Sequence, residues 1–118
     1  MWQDDARLAD MFLGCREVQE YLRGVTFEEF LADRQKQRAV CMVLAIIGEA
    51  ARAVSPQYKA AHPQVPWRDT VTLRNRITHE YFRLDLPTIW EVVQREIPAL
   101  AASIEPLVPP EIPRGKPA

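Results

Sequence analysis

The sequence predicts an all-α fold, an antiparallel bundle of four long helices joined by short connecting ones. Three observations carry that reading. Apolar residues recur at steps of three and four over long stretches, with no strand-like alternation and no hairpin turn. Thr, Asp and Ser stand where helix N-caps are needed, and Gly or Pro stands where helices must stop. With 118 residues, 47% of them apolar, the chain is long enough for one domain with a real core and too short for two. The helical domain is expected over residues 1–105, followed by a proline-rich tail at 106–118.

The first long helix is expected over 4–23, with Leu8, Met11, Phe12, Cys15, Val18 and Leu22 on one face. Gly24 stops it. Thr26 and Glu29 have the spacing of a capping box, which places a short helical turn at 27–31. Asp33 then caps a second long helix reaching Val54. Its stripe of Val40, Val43, Leu44, Ile47, Ala51 and Val54 is broadened by Ala39, Met42, Ile46 and Ala50. So wide an apolar face belongs at the centre of the bundle or against a partner. Gly48 within this helix costs about 1 kcal/mol relative to alanine, a cost that the close approach of a neighbouring helix would justify.

Ser55-Pro56 opens a brief helix to Ala61, since serine caps and proline suits the first helical position. Pro63 and Pro66 break it. A third long segment, 67–78, carries Val71, Leu73 and Ile77 but is otherwise dominated by polar and cationic side chains. Asp85 and Pro87 start a last helix whose Ile89, Trp90, Val93, Ile97, Leu100 and Ile104 keep helical spacing, with a bend expected at Pro98. Pro106 ends it. From Pro106 onward the chain holds five of its ten prolines, so the tail is expected to be extended.

Several function classes fall away on composition. No apolar stretch is long enough for a membrane span, and the first residues lack the basic and apolar regions of a signal peptide. A cytoplasmic protein is the expectation. Cys15 and Cys41 lack metal or redox spacing and read as small apolar side chains. The net charge of −1 conceals an asymmetry. Residues 1–33 hold 3 basic and 8 acidic side chains (net −5), residues 34–83 hold 9 and 3 (net +6), and residues 84–118 hold 3 and 5 (net −2). The basic middle third is either a polyanion site or a surface that pairs with acidic helices.

There is no phosphate-binding glycine loop, no zinc-protease helix motif and no serine nucleophile elbow. The chemistry concentrates instead in Leu73-Arg74-Asn75-Arg76-Ile77-Thr78-His79-Glu80-Tyr81, with Arg83 close behind. On a continuous helix Arg74 and Tyr81 would lie about 20° from eclipsed, and His79 roughly 140° round from Arg74. A helix end that unwinds, or a second copy across a two-fold axis, is needed to bring them together. Such a set supports cleavage of RNA without a metal. A histidine can move a proton to or from the 2′-oxygen or the leaving 5′-oxygen, and a guanidinium can hold the non-bridging phosphate oxygens. RNA supplies its own nucleophile. The competing reading makes His79 a cation favoured at a helix C-terminus, and Arg74, Arg76 and Arg83 solvated charges or partners of acidic helices.

The run Arg74-Asn75-Arg76-Ile77-Thr78-His79-Glu80-Tyr81 matches the RNxxxHxY pattern of the HEPN superfamily. The chain as far as Ile104, including Ile47-Gly48-Glu49-Ala50 and the Trp90 helix, resembles the HepT-like branch. The resemblance implies a homodimeric ribonuclease, the toxin of a type VII toxin–antitoxin pair whose partner is a minimal nucleotidyltransferase. It implies catalytic roles for Arg74 and His79, a supporting role for Asn75, and modification of Tyr81 with AMP by the partner. Arg76 and Arg83 are expected to add attraction for the RNA backbone, and no cofactor is called for. The alternative is a non-catalytic helical module that binds a nucleotide, or serves as accessory subunit of a nucleotidyltransferase.

Overall fold

In the computed structural model, which describes residues 2–80 and 83–112 with backbone alone at 2 and 78–80, two 20-residue helices organise the rest. They are α1 (Trp2–Tyr21) and α3 (Arg34–Ala53), joined through the short α2 (Phe27–Ala32). Polar contacts at both ends fix them antiparallel. Near the start of α1, the Asp4 carboxylate accepts from the Ser55 amide (2.9 Å) and hydroxyl (2.8 Å) just beyond α3. At the other end the Lys36 ammonium donates to the Tyr21 carbonyl at 3.1 Å. Between these ends the expected faces meet: Leu8, Met11, Phe12, Cys15 and Val18 of α1, and Val40, Leu44, Ile47 and Ala51 of α3, are all buried. Each large aliphatic side chain so buried contributes about 1.5–3 kcal/mol.

The caps read from the sequence form as local side-chain chemistry requires. Gly24 leaves α1 with φ +72°, a conformation that favours glycine. Thr26 and Glu29 make a reciprocal capping box, at 3.1 Å to the Glu29 amide and 2.8 Å from the Thr26 amide. Asp33 caps α3 through the Lys36 amide at 3.0 Å. Ser55 caps α4 (Pro56–Ala61) through the Tyr58 amide. Asp85 caps α7 (Leu86–Glu91) through the Thr88 amide.

The third long helix does not form. Residues 67–77 make two single turns, α5 (Trp67–Val71) and α6 (Leu73–Ile77), which break at Thr72. A threonine hydroxyl competes with the helical ladder here: Thr72 donates to the Asp69 carbonyl at 3.0 Å, whereas the Thr70 hydroxyl shares the Pro66 carbonyl with its own amide. After Ile77 the chain leaves the helix altogether and enters a small hairpin that the sequence did not announce. Strand β1 (Thr78–Glu80) pairs antiparallel with β2 (Arg83–Leu84), with Thr78 opposite Leu84 and Glu80 opposite Arg83 across an irregular register. The bond from the Asp85 amide to the Ile77 carbonyl, 2.9 Å, closes its base.

The bend expected at Pro98 takes the form of a wider turn just before it. Between α7 and α8 (Ile97–Ile104) lies a π-helical turn, Val92–Glu96, in which the Ile97 amide reaches back to the Val92 carbonyl. A one-turn 3₁₀ helix, Glu105–Leu107, follows. The start of the tail does not run free. Val108 is buried, and Leu107 and Ile112 pack against the core, because these apolar side chains lie between the prolines. Residues 113–118 lie outside the described residues.

Two glycines set how closely α3 is gripped. A Cβ at Gly14 of α1 would lie 2.6 Å from Ile47 Cγ1 and 3.2 Å from its Cδ1. A Cβ at Gly48 would lie 3.1 Å from the Thr70 carbonyl oxygen, which is the close neighbour that the sequence predicted. Gly14→Ala should therefore destabilise the protein despite alanine's better helix propensity. Ile47 is fully buried and has nowhere to move, so overpacking of about 1–3 kcal/mol outweighs a gain of about 1 kcal/mol. Urea unfolding should show a lower midpoint at unchanged slope. A higher midpoint would mean that the interface yields.

Candidate active site

Helix α6 lies on α3 through Leu73 and Ile77, both buried, and this contact decides where the polar residues between them point. Arg74 and Asn75 are exposed, while Arg76 turns toward the last helix. Arg74 stands on the outer side of α3, where it borders a shallow groove of about 490 Å³ with Met42, Ala45, Ile46 and Glu49. Met42 and Ile46 are 64% and 47% exposed. The broad apolar face read from the sequence is thus real, and the single chain leaves Met42 and Ile46 exposed on it. Arg74 is beside them.

Electrostatics agree with this placement. Burial raises the pKa of the Cys41 thiol, and the Arg38 and Arg74 guanidiniums pull in the opposite direction. Glu49 is held below the usual carboxylate range, first by its hydrogen bond from Arg52 at 2.8 Å and more weakly by Arg74. Arg38 and Arg74 therefore flank one stretch of α3. Cys41 is half-buried and Cys15 fully buried, both as free thiols, and burial pushes the Cys15 thiol up to about 12.

The structure separates the other predicted residues. Because α6 ends at Ile77, His79 is carried on β1, two residues beyond the helix, so the angular argument for a continuous helix no longer applies. The His79 side chain and Tyr81 lie outside the described residues. Arg83, on β2, is exposed. Arg76, expected to attract RNA, is engaged within the fold. Its two terminal nitrogens donate to the two carboxylate oxygens of Glu96 at 2.8 and 2.6 Å. This bidentate pair ties α6 to the π turn and borders a cleft with Asp69, Thr70 and Leu100. Each charge favours the other, so Arg76 is raised and Glu96 lowered from its ordinary pKa, in both cases chiefly by their mutual hydrogen bonds. Glu96 was missed by sequence reasoning. It lies 20 residues away with no local pattern to link the two.

Comparison with known proteins converges on one family. The profile described as Ribonuclease HepT-like matches residues 13–107. The chain belongs to the HepT-like ribonuclease family. It is 36% identical over 100 residues to the protein of Thermococcus cleftensis named "Probable ribonuclease HepT", covering 85% of this chain and 91% of the relative. It is 32% identical over 100 residues to "Putative RNase MJ1380" of Methanocaldococcus jannaschii, with 85% and 92% covered. It is 33% identical over 97 residues to "Putative RNase TTE0752" of Caldanaerobacter subterraneus, with 82% and 87% covered. No solved structure matches the chain significantly. No helix among the described residues is long and apolar enough to cross a membrane.

The Arg76–Glu96 pair makes a pH-dependent contribution to stability. Glu96 has a lowered pKa when folded, so the contribution is present above the unfolded value and is lost as pH falls through the folded one. Glu96→Gln should cost about 0.5–1 kcal/mol at pH 7, a modest figure because water reaches both side chains. The difference from the parent should close in acid, below about pH 3. Urea titrations at the two pH values give the measurement, and a gap that persists in acid would assign the loss to packing.

Proposed function

We infer that this HepT-like chain is a metal-independent endoribonuclease that works as a two-fold homodimer. The observation that carries the reading is the juxtaposition of Arg74 with Met42 and Ile46, apolar side chains that α3 leaves exposed. A second copy docked through that face buries the exposed side chains and draws two Arg74 guanidiniums into one cleft. The turn out of the helix at Ile77 supports the same arrangement, because His79 is no longer tied to the far side of α6.

In the proposed reaction the RNA 2′-oxygen attacks the adjacent phosphorus and the bond to the 5′-oxygen breaks. The 2′-proton is removed and the departing 5′-oxygen gains one. His79 carries out one or both of these transfers as general base and general acid. Arg74 holds the non-bridging oxygens as negative charge builds on them, and Asn75 orients the site. Arg83 adds attraction for the backbone. Arg76 keeps a different role, holding α6 through Glu96.

The activity is that of a toxin neutralised by a minimal nucleotidyltransferase, which joins AMP to the phenolic oxygen of Tyr81. The added phosphate would lie beside the cations that RNA needs and compete for them. Silencing then requires no change of fold.

Purified protein should cleave single-stranded RNA in the presence of EDTA and leave DNA intact, because DNA has no 2′-hydroxyl. His79→Ala should lower the rate by about 10²–10⁴-fold while sedimentation still shows a dimer. Cleavage that stops in EDTA, or a chain that is monomeric while active, would contradict the mechanism. Co-expression with a minimal nucleotidyltransferase should add AMP to the intact mass of the parent and not of Tyr81→Phe. An unmodified parent that is nonetheless suppressed would assign inhibition to masking by the partner.

A further inference from the structure

We propose that Arg7 and Asp10 of α1 set the register of the homodimer, Arg7 of each copy pairing with Asp10 of the other. The inference rests on the homodimer reading and names the contacts that align its two halves. Both residues are exposed and border the groove along Met42 and Ile46, as Arg74 and Glu49 do. Gly14, one turn after Asp10, is pressed against Ile47, so this flank of α1 lies against α3. On the other side of α3, Gly48 lies against the Thr70 carbonyl and Leu73, the residue before Arg74. The exposed strip of α3 thus has Arg7 and Asp10 along one edge and Arg74 along the opposite one.

Arg7 and Asp10 are three residues apart, about 4.5 Å along the helix axis. The chain forms ion pairs at this spacing elsewhere, Glu20 with Arg23 and Glu49 with Arg52, both at 2.8 Å. In each of these the acid precedes the base. Arg7 and Asp10 have the reverse order, the poorer one within a helix, and no ion pair joins them among the described residues. A second copy supplies what the single helix does not. A two-fold axis lying across α3 reverses α1 of the second copy, so each Arg7 meets an Asp10 and two Arg74 side chains share the opposite edge. An axis along α3 would set Arg7 and Asp10 against the Arg74 edge of the other copy and part the two Arg74 side chains. Exposed pairs of this kind add little affinity. Like the charges that flank a coiled-coil seam, they decide orientation.

The test uses two full-length variants, Arg7→Asp and Asp10→Arg, each of which sets like charges opposite one another in its own homodimer. Each should raise the dimer dissociation constant about tenfold at low salt, with the difference narrowing at high salt. Mixed together, the two should form a heterodimer in preference to either homodimer, read by native mass spectrometry. Arg7→Asp/Asp10→Arg in one chain restores both pairs and should dimerise as the parent does. Cleavage of RNA near the parent's dissociation constant should fall for each single variant and return on mixing. Arg7→Glu with Asp10→Lys repeats the comparison if a variant of the first set has a lowered urea midpoint.

Single variants that dimerise like the parent would overturn the pairing and leave the homodimer standing. Variants that weaken the dimer yet show no preference for each other would overturn it too, because the charges would then face something other than one another. A monomeric parent removes both readings. A parent that dimerises, responds to these substitutions as expected and cleaves no RNA supports the pairing and removes the ribonuclease reading.

Discussion

The grip on α3 is the constraint on which the rest depends. One side of this helix is approached by α1 at Gly14, the other by the Thr70 carbonyl at Gly48. With two neighbours so near, little freedom remains for where α6 lies along α3. Leu73 and Ile77 seat it, and Arg74, one residue after Leu73, then emerges beside the uncovered side of the same helix. The position of Arg74 is thus decided by the core packing of its neighbour Leu73. Arg76 and Glu96 add a polar tie from the opposite side, so α6 is held by apolar contact below and by a charge pair across.

A division of labour among the cations follows. Lys36 closes the end of α1, Arg76 holds α6, and Arg52 pairs with Glu49 on the surface of α3. The basic middle third of the sequence is therefore several kinds of charge. Counting it as one patch overstates what is available to a polyanion. Arg74, which borders the groove along Met42 and Ile46, is the cation that the proposed chemistry uses.

The parts of this fold that were legible from sequence are those governed by neighbours in the chain. Thr26 with Glu29, Asp33, Ser55 and Asp85 each satisfy the amide three residues on, and their spacing alone announces them. The apolar stripes of α1 and α3 were equally plain. What escaped depended on competition or on distance. At the break, the Thr72 hydroxyl takes the Asp69 carbonyl that a continuous helix would offer to Leu73. The hairpin is too short and irregular to alternate. The π turn did leave a trace: Ile89, Val93 and Ile97 advance by four each time, a drift of about 80° around an ideal α-helix, which the wider turn absorbs. In the candidate site, Arg74 and Asn75 were legible through a motif, whereas the engagement of Arg76 by Glu96 depends on how two distant segments pack.

The Asp4–Ser55 contact makes one local cap depend on a distant residue. Helix α4 has six residues, fewer than an isolated helix needs to persist in water. Its capping serine is in turn held by a carboxylate 51 residues earlier. The contact therefore exists only where α3 lies folded back along α1. Only there does Ser55 meet Asp4, and only there has α4 a fixed point to start from. The α1–α3 pair in this sense anchors the segment that leads into α5 and α6.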